Sequence, residues 1–470
     1  MKLGLVGASY QEWSLPFDPQ RTVNLIPIVH QMQQGKEVTA LYATPGLSVF
    51  SKGGSGKNRG MLSAANGRAF AVIGSKLVEA LANGDRIERG DLEQSNGAVT
   101  MVENGFQLAI CDRVNVYILT YATNAYQKVT AAGFPENGIG TIDFIDNYFV
   151  GNENGTGKFY ISALLDGLQW NALDFASAES NPDNLLRVFN GIGLLWLMGR
   201  DTTEIFSNTG DSVFPFERIS GAQFNTGILS PLSVVEIDKS LFWVGRDNGG
   251  VGSVYMTNGF RAEKISTPPI DQKIIRAGDF DNIVGYTYSE DGHKYYVING
   301  GGLETTLVFD VTTRMWHERA FKNTDGSFSQ HLAICHMYAF NRHLVGDRRN
   351  GNIYEMSMDF YDDAGEEILA ERIFTNLTEE NKRFPISRIV VDFEGGVGLP
   401  VGQGSDPVAR LSISKDGGRT WGNEYEAPIG KIGQTKTQVR WRRMGIAEQV
   451  TFRLRISDPV KRAITGAYAE

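Results

Sequence analysis

The eight residues SKDGGRTW, Ser414 to Trp421, fit the Asp-box pattern S-x-D-x-G-x-T-W. The chemistry of that spacing is structural. Asp416 is placed to accept backbone N–H groups across a hairpin turn, and Gly418 permits the turn conformation. Ser414 and Thr420 complete the pattern, and Trp421 is expected to bury beside it. A second group is basic: Lys431, Lys436, Arg440, Arg442 and Arg443 concentrate positive charge in an acidic chain. In a strand, Arg440 and Arg442 point one way, Trp441 and Arg443 the other. Two uses fit this group, a solvated sheet face or a docking patch for an acidic partner surface.

Catalytic chemistry finds no comparable foothold. Asp-boxes occur in sialidases, yet such a box lies away from any catalytic centre and occurs here once. The arginine cluster, tyrosine nucleophile and acid pair that a sialidase needs cannot be assembled from this sequence. GGSGKNRG (53–60) and GNENGTGKF (151–159) are poor phosphate loops: five residues rather than four separate Gly151 from Gly157, and Phe159 stands where Ser or Thr should follow Lys158. Both read as turns. The six histidines, His30, His293, His317, His331, His336 and His343, lack metal spacing, and Cys335-His336 is a lone pair. No G-x-S-x-G, H-E-x-x-H or EF-hand loop is present. The expectation is a chain without catalytic, cofactor-binding or metal-binding residues, and not an enzyme.

The elements around these groups recur. GRAFAVIGSKLVEAL (67–81), GFQLAICDRVNVYIL (105–119), DNYFVGNENGTGKFYIS (146–162), GLLWLMGRDTTEIFS (193–207), SLFWVGRDNGGVGSVYMT (240–257), HKYYVINGGGLETTLVFD (293–310) and RHLVGDRRNGNIYEMS (342–357) each read as strand, turn, strand. Their second strands, aligned at Val78, Tyr117, Tyr160, Ile205, Tyr255, Val308 and Tyr354, fall 39, 43, 45, 50, 53 and 46 residues apart. Strand repeats of roughly 40 to 50 residues are the mark of propeller blades. A lone hairpin cannot bury its apolar face, whereas blades packed round an axis form a continuous core. The 54 glycines fit a chain of many tight turns. The fold class is therefore all-β: a β-propeller over 46–357, of seven blades with six as the alternative. Trp316 is expected in a blade's third or fourth strand, packed on its neighbour.

Two segments lie outside the repeats. Residues 1–45 show no strong period and read as an N-terminal arm or docking segment. Residues 358–470 carry strands such as EQVTFRLRISD (448–458), in which Val450, Phe452, Leu454 and Ile456 alternate with Thr451, Arg453 and Arg455. That pattern predicts a C-terminal antiparallel, sandwich-like β-domain with one wet face.

A net charge of −9 disfavours a sequence-reading DNA protein, because phosphate neutralisation wants a basic surplus. Two cysteines, Cys111 and Cys335, read as buried thiols in a reducing compartment. The opening MKLGLVGASYQEW is too short for a secretory signal, and the longest apolar run, Ile192 to Met198, cannot span a bilayer. A soluble product of the cytoplasm, with no membrane anchoring, is expected.

Several segments in order carry a resemblance: RTVNLIP (21–27), ATPGL (43–47), RGMLSAANGRAFAVIG (59–74), FASAESNPDNLLRV (175–188), GRDTTEIFSNTGDSVFPFERISG (199–221), KISTPPID (264–271), TRMWHER (313–319), RWRRMG (440–445) and RISDPVKRAITGA (455–467). Together they resemble the packaged-DNA stabilization proteins of short-tailed bacteriophages, also called tail hub or nozzle proteins. The resemblance implies a non-enzymatic virion component made in the host cytoplasm. Six copies would form a ring below the portal and the head-to-tail adaptor, extend the DNA channel and help retain the packaged genome. A tail needle or tailspike would attach further along, and contact with DNA would be passive. Two rivals come from other classes. One is a glycan-binding or sialidase-like propeller. The other is a kelch-like protein-interaction module, suggested by D-x-T-x-x-x-W from Asp310 to Trp316.

Overall fold

The computed structural model describes residues 3–470 apart from 13, 16, 32–36, 179–182, 248–249, 251 and 380–381. Each hairpin seen in the sequence forms the two middle strands of one blade. In blade one these are Ala69–Ile73 and Lys76–Ala80, flanked by Asn58–Ser63 on the inside and Arg86–Asp91 on the outside. Ala69–Ile73 is buried along its whole length, because neighbouring blades press on both faces. A strand covered on both faces carries a continuous apolar run, without alternation. Blade two spans 100–128, blade three 139–177, blade four 185–224, blade five 226–264 and blade six 283–322.

Blade seven takes three strands from 333–357 and its fourth, Gly46–Ser51, from far upstream, with Tyr354 opposite Val49 and Met356 opposite Leu47. Its inner strand, Ala333–Ala339, lies against the inner strand of blade one, so the ring closes at seven. Blade five departs from the pattern: its inner strand is split into Thr226–Ile228 and Val235–Ile237, both paired with Ser240–Asp247. The helix Pro268–Ala277 follows, burying Ile270 and Ile274 against the core shared by blades five and six. In the TLVFDVTTRMW turn of blade six, Asp310 accepts the Thr312 N–H at 2.9 Å and the Thr313 hydroxyl at 2.9 Å. Trp316, in the blade's fourth strand, is 2% exposed and donates its indole N–H to the Ile265 carbonyl beyond blade five at 3.0 Å.

Most of the remaining strands form a sandwich. One sheet runs Leu25–Gln31, Glu37–Ala43, Ala463–Ala469, Phe384–Phe393, Val439–Ala447. The other runs Arg21–Val23, Ala370–Ile373, Gln449–Ile456, Val408–Ser414, Tyr425–Pro428. Leu25, Leu41, Ile389, Leu411, Phe452 and Ile464 meet between them. The hairpin 25–43 faces two ways. Leu25 and Leu41 enter the sandwich core, while Ile26, Ile28 and Ala40 pack with Tyr286, Tyr295 and Val345 of blades six and seven. Each such aliphatic side chain contributes roughly 1.5–3 kcal/mol by leaving water. Residues 21–51 thus supply strands to the sandwich and to blade seven. Arg21–Val23 also pairs in parallel with the outer strand of blade six, Met315–Lys322, at Val23 and Glu318.

The face expected to be wet is not. Thr451 is fully buried, and the side chains of Arg453 and Arg455 are only 14% and 24% exposed. They line the cleft between sandwich and propeller, which is why this strand holds long cations with partners nearby.

Candidate functional site

The junction is built round one carboxylate. Glu318 sits on Met315–Lys322 with no exposed side-chain surface and accepts from Arg21 at 2.8 Å, Lys273 at 2.6 Å and the Thr305 hydroxyl at 2.6 Å, as well as from the Ser9 hydroxyl. Burial by itself raises its pKa, but the Arg21 and Lys273 charges outweigh this and hold it well below the usual carboxylate range. Arg21 lies 3.9 Å from Glu371 of the sandwich, which in turn pairs with Arg455 at 2.7 Å. Charges from blade six, the helix, the N-terminal segment and the sandwich therefore form one chain. Sequence reading missed Glu318, Lys273 and Ser9, since Glu318 and Ser9 are 309 residues apart.

Beside this junction lies a cleft of about 590 Å³, with Arg21, Phe328 and Arg348 on one side and Trp421, Arg453 and Arg455 on the other. The Asp-box turn forms part of its rim. Asp416 accepts from the Ser414 hydroxyl at 2.6 Å, the Thr420 hydroxyl at 2.6 Å, and the N–H groups of Arg419 at 3.0 Å and Thr420 at 2.9 Å. These bonds, from Ser414 foremost, hold the carboxyl well below its ordinary range. Gly418 adopts φ 91°, and a Cβ there would come within 3.1 Å of Pro19, so the turn rests on the N-terminal segment. Trp421 is half-buried, with the Arg453 guanidinium 4.5 Å over its ring. A carboxylate engaged in four such bonds fixes a turn.

The basic residues occupy the free edge of the first sandwich sheet, Val439–Ala447, and the loop before it. Lys431, Lys436, Arg440, Arg442 and Arg443 are all exposed. Strict alternation fails at Arg443. A bulge between the pairs Ile386–Gly445 and Arg388–Arg442 inserts one residue, and Arg443 takes φ 60°. Arg443 thereby turns to solvent with Arg440 and Arg442, while Trp441 goes into the core. Lys431 pairs with Asp406 at 3.2 Å; the other four make no ion pair among the described residues. Cations along an edge strand also discourage pairing with other chains.

The two glycine loops are turns: 151–159 joins the middle strands of blade three, and the loop near 53 is tied by Arg86 to the Gly53 carbonyl at 2.6 Å. Among the described residues no group of three or more His, Cys, Asp and Glu could hold a metal ion. The His30 side chain lies outside the described residues. Cys111 is a buried free thiol, but Cys335, expected to be buried too, is only half-buried; desolvation pushes each up to about 12. Among the described residues no helix is long and apolar enough to cross a membrane.

A closed seven-bladed ring fused to a sandwich defines the class, an all-β scaffold of two modules, and comparison with known families agrees module by module. The family model described as "Bacteriophage P22 Gp10, beta-propeller" matches residues 1–361, and the one described as "Bacteriophage P22 Gp10, beta-sandwich" matches residues 371–470. The chain belongs to the P22 Gp10 family of phage DNA-stabilisation and tail proteins. It is a structural protein of the phage virion. No curated protein matches it. Among solved structures, the extracellular domain of BT4673 from B. thetaiotaomicron is similar at 10% identity and TM-score 0.45, with 89% of this chain and 57% of that one covered. This chain therefore spans little more than half of that protein's length. The β-propeller domain of Cps50 (Swd1) from Myceliophteria thermophila is similar at 8% identity and TM-score 0.41, covering 66% of this chain and 99% of that one.

Proposed function

We propose that this chain is a tail hub subunit that docks below the portal and its head-to-tail adaptor, lengthens the DNA channel and helps hold the packaged genome in place. The observation that carries this reading is the stiff joint between the family's two modules. A wall against packaged DNA must transmit force without hinging, and here blade six continues by strand pairing into the sandwich, locked by the buried Glu318 network. The role needs no chemistry, and the Asp-box carboxylate is engaged in its own turn. An acidic surface suits DNA that must slide past without sticking.

In this reading the chain assembles as a ring, six copies in the virion, with the adaptor above and a tail needle or tailspike below. The basic edge Lys431, Lys436, Arg440, Arg442 and Arg443 is the docking patch for an acidic partner surface. The test mixes the full chain with purified, DNA-filled heads bearing portal and adaptor, images the product and follows DNA leakage. Rings of the chain on the adaptor with slower leakage support the role. Heads that stay bare and leak unchanged overturn it.

A further inference from the structure

The inner strands of the blades surround an axial well of about 200 Å³, bordered by Arg59, Thr100, Arg187, Val284, Cys335 and His336. These residues come from blades one, two, four, six and seven, so a ligand there touches most of the ring at once.

Arg187 is the group that demands a partner. It lies on Leu185–Gly191, the inner strand of blade four, and is 8% exposed. Its Nε and Nη1 are buried and find no acceptor among the described residues. A guanidinium cannot shed its charge, and buried donors left unmet cost more than a made bond returns. Asp143 acts on Arg187 through space but forms no ion pair with it. Its oxygens accept the Phe144 N–H at 2.8 Å and the Asn190 N–H at 3.0 Å.

The second cation of the wall, Arg59, is 3% exposed and bonded to neutral acceptors, the carbonyls of Gly74, Gln94, Asn96 and Gly97. Two buried positive charges therefore face the well, and among the described residues neither forms an ion pair with a carboxylate. A wider recess of about 440 Å³ borders it through Ala98, Val284 and Ile334; Lys57, Arg348 and Asp279 line that approach.

We propose that the axial well is a binding site for a small inorganic anion, held by Arg187. The anion supplies the acceptor that Arg187 lacks and ties blade four to the opposite side of the ring, stiffening the propeller about its axis. The well is too small for a nucleic-acid strand, and the site is independent of the tail role.

The full chain, dialysed into sodium gluconate, is titrated with sodium phosphate or sodium bromide at constant ionic strength while its melting is followed. An anion bound only to the folded state raises Tm, and beyond its Kd the stabilisation grows with the logarithm of its concentration. The expected result is a rise of several degrees for the natural chain and none for R187M. Crystals grown with sodium bromide should show an anomalous peak in the well against the Arg187 guanidinium, a reading that needs no variant should R187M fail to fold. Equal Tm rises in both chains, or bromide crystals with only water against Arg187, overturn the proposal.

Discussion

Replacing Glu318 with glutamine keeps the side chain's shape and removes its charge, leaving the largely buried Arg21 and Lys273 beside each other with only Glu371, 3.9 Å from Arg21, as a nearby anion. Removing one partner from a buried ion network costs roughly 3–5 kcal/mol, mostly the penalty of stranded charge. Glu318 is fully buried and bonds to four side chains, so a value near 4 kcal/mol is expected, about a thousandfold in the local equilibrium. The cost should appear at the joint. The Ser9 N–H donates to the Trp316 carbonyl and the Asn24 N–H to the Glu318 carbonyl, both at 2.8 Å, so these two amides report directly on its opening. Native-state hydrogen exchange on E318Q should show both accelerated by about three orders of magnitude, with amides in blade two unchanged. A companion variant with Arg21, Lys273 and Glu318 all made apolar should recover most of the loss, because no charge is then stranded. Exchange at Ser9 and Asn24 within about threefold of the natural chain would refute the idea that this network locks the modules.

Other outcomes follow from the same geometry. His317 is pushed down to about 4 by burial, so the unfolded chain takes up its proton first as pH falls below the ordinary 6.5. The His317 contribution is full above that value and should withdraw about 3 kcal/mol towards pH 4, so H317Q should show a shallower drop than the natural chain in urea melts at stepped pH. Gly46→Ala places a Cβ 2.5 Å from the carbonyl oxygens of Phe360 and Asp362, so the strand closing blade seven should lose about 1–3 kcal/mol in a denaturant titration. Reversing Arg440 and Arg442 to glutamate should leave stability within about 0.5 kcal/mol. It should abolish capture by head–adaptor complexes in a pull-down, if that edge is the docking patch.

What was legible in the sequence was what two-sided burial writes into it. Strands such as Ala69–Ile73 and Leu194–Gly199 lie between blades, so their apolar runs stand out and their spacing counts the ring. The hairpin 25–43 was illegible for a related reason. Leu25 and Leu41 serve one core and Ile26, Ile28 and Ala40 another, which erases the period-two signal and makes a structural clamp read as an arm. The closing strand Gly46–Ser51 pairs with residues some 300 positions away, and no local pattern announces such a partner. The Asp-box turn was readable because its bonds span four residues. The bulge at Arg443 was not, since alternation assumes an unbroken register. The Glu318 network left no local pattern to read, because its members lie far apart in the chain.

The route of residues 21–51 also orders events during synthesis. Arg21–Val23 needs blade six, Gly46–Ser51 needs residues 353–357, and Glu37–Ala43 pairs with Ala463–Ala469. The early part of the chain must therefore stay available while more than three hundred further residues leave the ribosome. Pairings this distant in sequence form slowly. Until Gly46–Ser51 meets residues 353–357, the nascent ring carries a gap with open strand edges.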